Sequence, residues 1–221
     1  MTQNKILEIA LSGGWLALDF INTVSDRKNA DNFRDYLDSY SSLVLWSKRL
    51  GLIPEEDEQL LYKIPGDKAD HSLQYALKVR EAVYRVFNNW IESRTISQEN
   101  LNLFNGLLLD AYTYSEIGWD DKGVFRHFPR RDTHPDRTVW EVLLSAESLL
   151  LSDKLHRVKS CDACGWLFLD GSKNGTRRWC DMQVCGSQVK ARKYYYRKKA
   201  GVGERGRVRE GREGESCLFL K

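Results

Sequence analysis

No cysteine precedes Cys161 in this chain of 221 residues, and long apolar runs are missing throughout. A secreted disulfide protein distributes its bridges through the core, so this distribution excludes a disulfide scaffold. The Trp-Leu-Phe-Leu run at 166–169 is among the longest apolar stretches, far below the roughly 20 residues that a bilayer span needs. The N-terminus also lacks the basic-then-apolar order of a signal peptide. We therefore expect a cytoplasmic protein without a membrane partner.

A strong overall charge is also missing, since the formal net charge is only +3. The composition, with 42% hydrophobic and 29% charged residues, is that of an ordinary globular protein. The charge is unevenly distributed, however. Residues 1–153 carry 17 Lys and Arg against 24 Asp and Glu, a net charge of −7, whereas residues 154–199 carry 12 against 3, a net charge of +9. An acidic body with a basic end indicates a polyanionic partner for that end.

The sequence lacks the common motifs of enzymes: the nucleophile elbow, the P-loop, the glycine pattern of dinucleotide-binding folds and the His-Glu metal motif. The four histidines share no ligand spacing; they are His71, His127, His134 and His156. These absences argue against catalysis, and an enzyme of unknown reaction in residues 1–153 stays an alternative. We expect no catalytic residues.

The hydrophobic pattern of the first 153 residues is mainly helical. Apolar residues recur at spacings of three and four in segments that predict helices over 35–50, 73–93, 98–111 and 140–151. Ser97 is the expected N-cap of the third helix. The segment 15–24 is rich in aromatic and branched residues, which predicts a strand or a strand leading into a turn. Glycines, prolines and charges at 115–137 predict a loop with a short hairpin.

These elements define the expected fold class and domains. We expect an α+β protein whose N-terminal domain, residues 1–153, is mainly helical with a small sheet. A small module with four cysteines and a basic helix follows at 154–200. Residues 201–221 combine many glycines with alternating Arg and Glu and show no helical or strand period, so they are expected to form a disordered tail.

Four of the five cysteines form two close pairs. Two residues separate Cys161 from Cys164, four separate Cys180 from Cys185, and fifteen separate the pairs. In a reducing cytosol, two such pairs are typical of a zinc site. Four thiolates leave no coordination position open, so we expect one structural Zn²⁺ per chain. Four unrelated reduced cysteines, or a redox pair at the first two positions, are the alternatives.

The spacing of the second pair restricts the backbone. Residues five apart lie about 140° apart around an α-helix, so Cys180 and Cys185 cannot both face one ion from a regular helix. Cys180 should therefore precede a helix that begins near residue 184, with Cys185 at its start. Residues 166–169 and 177–179 are expected to pair as a hairpin, which completes a treble-clef-like zinc finger. The metal should supply folding energy, because so small a module buries too little core.

A basic helix should follow, since no Gly or Pro interrupts residues 188–199. Cations on a zinc-stabilised helix can engage DNA phosphates, and Arg can reach base edges. The three tyrosines at 194–196 could stack on bases, and at least one should pack on the hairpin because together they cover most of the circumference. A solvated basic helix is the alternative. The candidate DNA-binding residues are Arg177, Arg178, Lys190, Arg192, Lys193 and Arg197.

Polar residues in apolar surroundings raise a second hypothesis for the N-terminal domain. A polar cluster around a small-molecule pocket would suit a sensor that controls the finger. Structural roles are the alternative, with Asp19 and Asn22 capping a turn and Arg80 pairing with an acid. The candidate ligand-binding residues are Asp19, Asn22, Thr23, Arg27 and Arg80.

Two segments share motifs with known families. Residues 157–199 contain both cysteine pairs, Trp-Leu-Phe-Leu-Asp at 166–170 and Arg-Arg-Trp-Cys-Asp-Met at 177–182, and this segment resembles the CGNR zinc finger. Residues 16–23, 43–50 and 80–83 are similar to ABATE domains. Proteins of this family are bacterial and are regarded as stress-linked transcription regulators, so the resemblance implies a zinc-dependent regulator whose finger binds DNA.

The tetrapeptide that gives the finger its name differs here. Cys185 and Gly186 are followed by Ser187 and Gln188 where the family has Asn and Arg. The zinc ligand is retained, but any phosphate or base contact of the family Arg is lost. A finger that docks a protein partner without binding DNA is therefore the alternative function.

Overall fold

The computed structural model describes residues 5–129 and 134–206, with side chains described as far as Lys199. Contacts divide the chain into two compact units, Met1–Cys180 and Asp181–Lys221, which we call the first and the second unit. The first unit contains the N-terminal helices and also three of the four paired cysteines. Cys217 and residues 207–221 of the expected tail lie outside the described residues.

Helical residues far outnumber strand residues in the described part of the first unit, which confirms a mainly helical N-terminal part. They are α1 (Leu16–Ile21), α2 (Tyr40–Arg49), α3 (Glu55–Leu61), α4 (Gly66–Ser93), α5 (Gln98–Tyr114) and α6 (Arg137–Leu150). None of the helices in the described part of the chain is long and apolar enough to cross a membrane.

The predicted helices are present, with shifted ends. Ser97 caps α5 as expected, because its hydroxyl accepts a hydrogen bond from the Asn100 N–H at 3.3 Å. Helix α2, predicted to begin at residue 35, begins at Tyr40, since Ser39 caps it and Asp35 forms a bridge with Val24. Helix α4, predicted to begin at residue 73, begins at Gly66. Its first residues, 66–71, are not buried, so they show no apolar period.

Helix α4 forms the centre of the core. Its buried face carries Ala76, Val79, Val83, Val86 and Phe87, and it contacts α1, α2, α5 and α6. Each fully buried Val or Phe side chain on this face contributes about 1.5–3 kcal/mol relative to an exposed one. This helix therefore organises the other helices around one core.

The predicted strand at 15–24 is wrong, because Leu16–Ile21 forms helix α1. Ala17, Leu18, Phe20 and Ile21 have no solvent exposure. A short segment that is apolar on almost every side shows no period that distinguishes a helix from a strand. The sequence pattern alone therefore could not identify this helix.

Two small antiparallel sheets complete the first unit. Strands β1 (Glu116–Asp120) and β2 (Gly123–His127) form the hairpin that was predicted within 115–137. Strands β3 (Val158–Ser160) and β4 (Leu167–Leu169) form the second. The predicted pairing of 166–169 with 177–179 is wrong. The first cysteine pair lies in the turn between β3 and β4, so β4 pairs with the strand that precedes it in the chain.

The described residues of the second unit form a π-helical turn, Met182–Gly186, followed by helix α7 (Ser187–Gly206). The helix therefore continues beyond residue 199, where the basic segment ends. The side chains at 191–199 are all exposed. Tyr194, Tyr195 and Tyr196 are 67%, 62% and 62% exposed. The packing of one tyrosine on the hairpin stays a prediction.

Candidate metal centre

The first cysteine pair lies in the tight turn between β3 and β4. The Cys161 N–H donates to the carbonyl oxygen of Trp166 at 2.8 Å, and the Gly165 N–H donates to that of Cys161 at 3.0 Å. Gly165 has a φ of +76°, a conformation that other residues rarely adopt. These constraints form a knuckle, residues 161–165, which holds two sulfur atoms on one turn.

Cys180 is held by a loop that a buried carboxylate organises. Asp170 has no solvent exposure, and its carboxylate accepts hydrogen bonds from Lys159 Nζ at 2.7 Å, Ser172 Oγ at 2.6 Å and the Arg177 N–H at 3.0 Å. Although burial alone would raise the pKa of Asp170, the hydrogen bond from Lys159 and those from Ser172 and Arg177 hold it below its ordinary value. The loop from 170 to 180 therefore depends on an ionised Asp170.

Arg177 braces the same loop from within. Its Nε–H donates to the carbonyl oxygen of Trp179 at 2.8 Å, and its guanidinium also donates to the carbonyl oxygen of Cys180. The guanidinium carbon lies 4.7 Å from the centre of the Phe168 ring. Arg177 therefore serves the cysteine loop. Arg178 is more exposed and pairs with Asp162 at 2.6 Å.

Cys185 lies in the π-helical turn of the second unit, directly before α7. The Gly186 N–H donates to the carbonyl oxygen of Asp181 at 3.0 Å, a closure over five residues. The Asp181 side chain accepts from the N–H groups of Gln183 and Val184 at 2.7 and 2.8 Å. The prediction that Cys180 precedes the helical segment and that Cys185 lies at its start is confirmed, except that this first turn is π-helical and α7 begins only at Ser187.

The four sulfur atoms form one cluster. Cys161, Cys164, Cys180 and Cys185 have their sulfur atoms within 4.8 Å of one another, and the distance from Cys164 Sγ to Cys180 Sγ is 3.7 Å. Four thiolates around one Zn²⁺ at about 2.3 Å define a tetrahedron with edges of about 3.8 Å. The cluster therefore fits one structural Zn²⁺.

The electrostatics of the cluster also favour a cation. Hydrogen bonds from Cys164 and, to a smaller extent, from Cys180 lower the pKa of the Cys161 thiol. The pKa of Cys180 is raised, mainly because its thiol donates a hydrogen bond to Cys161. Without a cation, one thiolate is thus stabilised at the expense of its neighbours. Zn²⁺ would allow all four cysteines to ionise, and it would supply structure instead of catalysis because no position stays open.

The knuckle rests against the N-terminal segment 22–28 of the same unit. The Asn22 amide donates to the carbonyl oxygen of Leu167 at 2.8 Å and accepts from its N–H at 3.0 Å. The Trp166 indole N–H donates to the carbonyl oxygen of Val24 at 2.6 Å. The Arg27 N–H donates to the carbonyl oxygen of Cys164 at 2.8 Å. Residues far apart in sequence therefore form a single hydrogen-bonded structure.

The remaining candidate ligand-binding residues bind one another or neighbouring groups. Arg80 is buried, pairs with Asp35 and contacts Thr23 Oγ1 at 3.3 Å. The Arg27 guanidinium donates to Glu81 at 2.9 Å and lies over the Tyr84 ring. The Asp19 carboxylate accepts from the Gly13 N–H at 2.8 Å. These contacts favour structural roles for the cluster.

A groove of ligand size lies between α4 and α5. Its volume is about 560 Å³, within the range of small-molecule sites. His71, Gln74 and Lys78 line one wall, and Asn102 lies on the other. None of these residues stood out in the sequence, because exposed polar residues on amphipathic helices are common.

Two residues of the metal centre had no clear signal in the sequence. Asp170 was noted only as part of the finger motif, and Lys159 was not noted at all. A buried carboxylate with a lysine partner has no characteristic spacing, since its position depends on how the loop folds back. The link from Asn22 to Leu167 likewise depends on tertiary structure.

Comparisons with known families agree with this geometry. The CGNR zinc-finger model matches residues 157–198, and the ABATE model, described as "Putative stress-induced transcription regulator", matches residues 14–153. No match is found among curated proteins. A mainly helical domain followed by a four-cysteine zinc finger thus defines the class of protein. The chain belongs to the ABATE family.

Proposed function

We propose that the protein is a transcription regulator that binds DNA through helix α7. The observation that carries this proposal is the exposure of every side chain at 191–199. In a folded protein, a helix exposed all round gains little from packing. Its composition of cations and tyrosines is suited to nucleic acid, which offers phosphates for the charges and base faces for the rings.

The cations are distributed around the helix. At about 100° per residue, Lys190, Lys193 and Arg197 share one side, whereas Arg192 lies on another. Among the residues that the structure describes, none of these four forms an ion pair. Charge on several sides suits a helix that lies within a groove, where phosphates flank it on both walls.

The two arginines near the metal contribute less to this surface. Arg177 is occupied by the carbonyl oxygens of the cysteine loop, and Arg178 is paired with Asp162. We therefore propose Lys190, Arg192, Lys193 and Arg197 as the principal phosphate contacts. The acidic residues 1–153, with a net charge of −7, would repel DNA, which confines binding to the basic helix.

The salt dependence of DNA binding by the full chain tests the proposal. Four phosphate contacts predict a log–log slope of affinity against salt of about −3.6, from about 0.9 per phosphate. The double variant Lys193→Ala, Arg197→Ala should flatten the slope by up to about two units. Fluorescence anisotropy with random and genomic duplexes across a salt series measures both values.

A matched control removes the same charge elsewhere. Lys63→Ala, Lys68→Ala takes two exposed lysines from the first unit and should leave the slope unchanged. Zinc content and helix content should match the parent in both double variants. If the parent shows no slope, or the α7 variant binds as tightly as the parent, α7 is only a solvated helix and the interaction-module alternative gains support.

Small-molecule sensing by the N-terminal domain is better supported at the α4–α5 groove than at the Asp19–Arg80 cluster, whose polar groups already have partners. Lys78 would pair with a ligand carboxylate, and Asp110, which also lines the groove, would favour a ligand that carries a cationic group as well. A thermal-shift screen of amino acids and related zwitterions should yield compounds that stabilise the parent but not Lys78→Ala. Equal shifts in the two proteins would exclude the groove as the binding site.

A further inference from the structure

We propose that Asn22 and Arg27 are positioning residues for the zinc site, so that the N-terminal domain determines how tightly the finger holds its metal. This inference rests on the cysteine cluster and is independent of DNA binding. Neither residue is a ligand. Asn22 acts through the backbone of β4 at Leu167, and Arg27 acts through the backbone of the knuckle, which carries Cys161 and Cys164.

Asn22 fixes the hairpin beside the first ligand. Its side chain is only 1% exposed, and both ends of its amide bind the backbone of Leu167. Leu167 pairs with Ser160, which directly precedes Cys161. Asn22 therefore completes the edge of β4 as a neighbouring strand would, and it holds the end of the hairpin from which the first thiolate projects.

Arg27 fixes the other end of the knuckle. Its N–H donates to the carbonyl oxygen of Cys164, while its guanidinium is held by Glu81 and the carbonyl oxygen of Ile21 at 2.7 Å. The Arg27 side chain is 8% exposed. Because the arginine is held at both its main chain and its side chain, the position of the Cys164 carbonyl is coupled to helix α4, which carries Glu81.

Gly165 permits this close approach. A Cβ atom there would lie 3.1 Å from Lys28 Cγ and 3.2 Å from Arg27 Cβ, which is tighter than ordinary van der Waals contact. The Trp166 side chain next to it is buried and binds Val24 through its indole N–H. The knuckle is therefore in direct contact with segment 22–28.

Coupling of this kind has two measurable consequences. Outer contacts that orient metal ligands typically change metal affinity 10- to 100-fold when they are removed. By linkage, a metal that binds only the folded site stabilises whatever is coupled to that site. Zinc should therefore stabilise the N-terminal helices as well as the finger.

The test measures zinc affinity of the full chain by competition with a chromophoric chelator. Asn22→Ala should bind Zn²⁺ about 10-fold more weakly. Trp166→Phe keeps an aromatic ring, although a smaller one, and removes the N–H donor to Val24, so it should also weaken zinc binding. Zinc removal should lower the melting temperature of the helical signal in the parent, and it should lower it less in Asn22→Ala.

A matched control separates positioning from general stability. Thr138→Val removes a buried hydrogen bond of 2.8 Å to Ser47 Oγ in the helical core. It should lower the melting temperature and leave the zinc dissociation constant unchanged. The proposal is overturned if Trp166→Phe and any folded Asn22→Ala protein bind zinc like the parent, or if Thr138→Val weakens zinc binding equally. Should Asn22→Ala not fold, Trp166→Phe decides the outcome.

Discussion

Arg80 and Asp35 form a two-pronged ion pair, with Nη1 to Oδ1 at 2.7 Å and Nη2 to Oδ2 at 2.6 Å. The Arg80 side chain is 4% exposed, whereas that of Asp35 is 29% exposed. Asp35 thus stands at the edge of the core and neutralises a cation that lies inside it. Glu81 adds a second carboxylate at 3.0 Å from Arg80 Nε.

Removing the aspartate charge should destabilise the fold. Asp35→Asn leaves the buried guanidinium with one carboxylate fewer, and breaking a buried pair by removing one partner typically costs 3–5 kcal/mol. Because Asp35 is partly exposed and Glu81 remains, we expect about 2–3 kcal/mol from urea denaturation. The exposed Asp31→Asn serves as control and should change the free energy of unfolding by less than about 0.5 kcal/mol.

Zinc content tests the metal centre directly. The purified protein should contain about one equivalent per chain. Cys180→Ser should lose most of the metal and expose the finger to protease, because the metal supplies its folding energy. Cys217→Ser should retain the metal. Full retention in both Cys161→Ser and Cys180→Ser would contradict the four-cysteine assignment.

Asp19 should impose a pH dependence on stability. Burial raises its pKa from 3.8 to about 6, partly opposed by the Gly13 N–H and by Arg49. A raised carboxyl pKa means that the folded state binds the proton more tightly than the unfolded state. The stability contributed by this proton is present below pH 3.8 and is lost as the pH rises to about 6.

The variant Asp19→Asn isolates this contribution. Relative to Asp19→Asn, the parent should lose about 1–2 kcal/mol of unfolding free energy across that interval, a value reduced for partial solvent exposure. Urea denaturation at a series of pH values measures the difference. The exposed Asp121→Asn should follow the parent curve, and parallel curves for the parent and Asp19→Asn would contradict the prediction.

The altered family tetrapeptide gives a gain-of-function test. Gln188→Arg places the family arginine in the first turn of α7, where Gln188 is exposed. If α7 binds DNA, this added cation should make the log–log slope of affinity against salt more negative by about 0.9. Gln188→Glu should weaken binding. An unchanged slope in Gln188→Arg would show that this turn does not reach the phosphates.

The sequence predicted those parts of the structure that depend on local pattern. Long amphipathic helices such as α5 were identified together with the Ser97 cap, because spacing and capping chemistry lie within a few residues. The zinc ligands were identified for the same reason. Cys180 could be placed before the helix and Cys185 at its start, since residues five apart cannot both face one ion from a regular α-helix.

The features that were missed depend on tertiary structure. Helix α1 is buried on nearly every side and thus shows no period. Strand β4 pairs with β3 because the chain reverses at the knuckle, where Gly165 adopts a positive φ. The sequence does not state that conformation. Asn22 was singled out from the sequence, but its partner Leu167 lies 145 residues further along the chain. A pattern of single residues does not encode such pairings.

The contacts between the knuckle and segment 22–28 restrict how this protein can evolve by recombination. A finger moved to an unrelated domain would leave the Leu167 backbone and the Trp166 indole without their partners, at about 1–3 kcal/mol for each buried group. An N-terminal domain joined to a different finger would likewise leave the Asn22 amide unpaired. Exchange of either half should therefore lower stability unless the new partner supplies matching hydrogen-bonding groups for this contact.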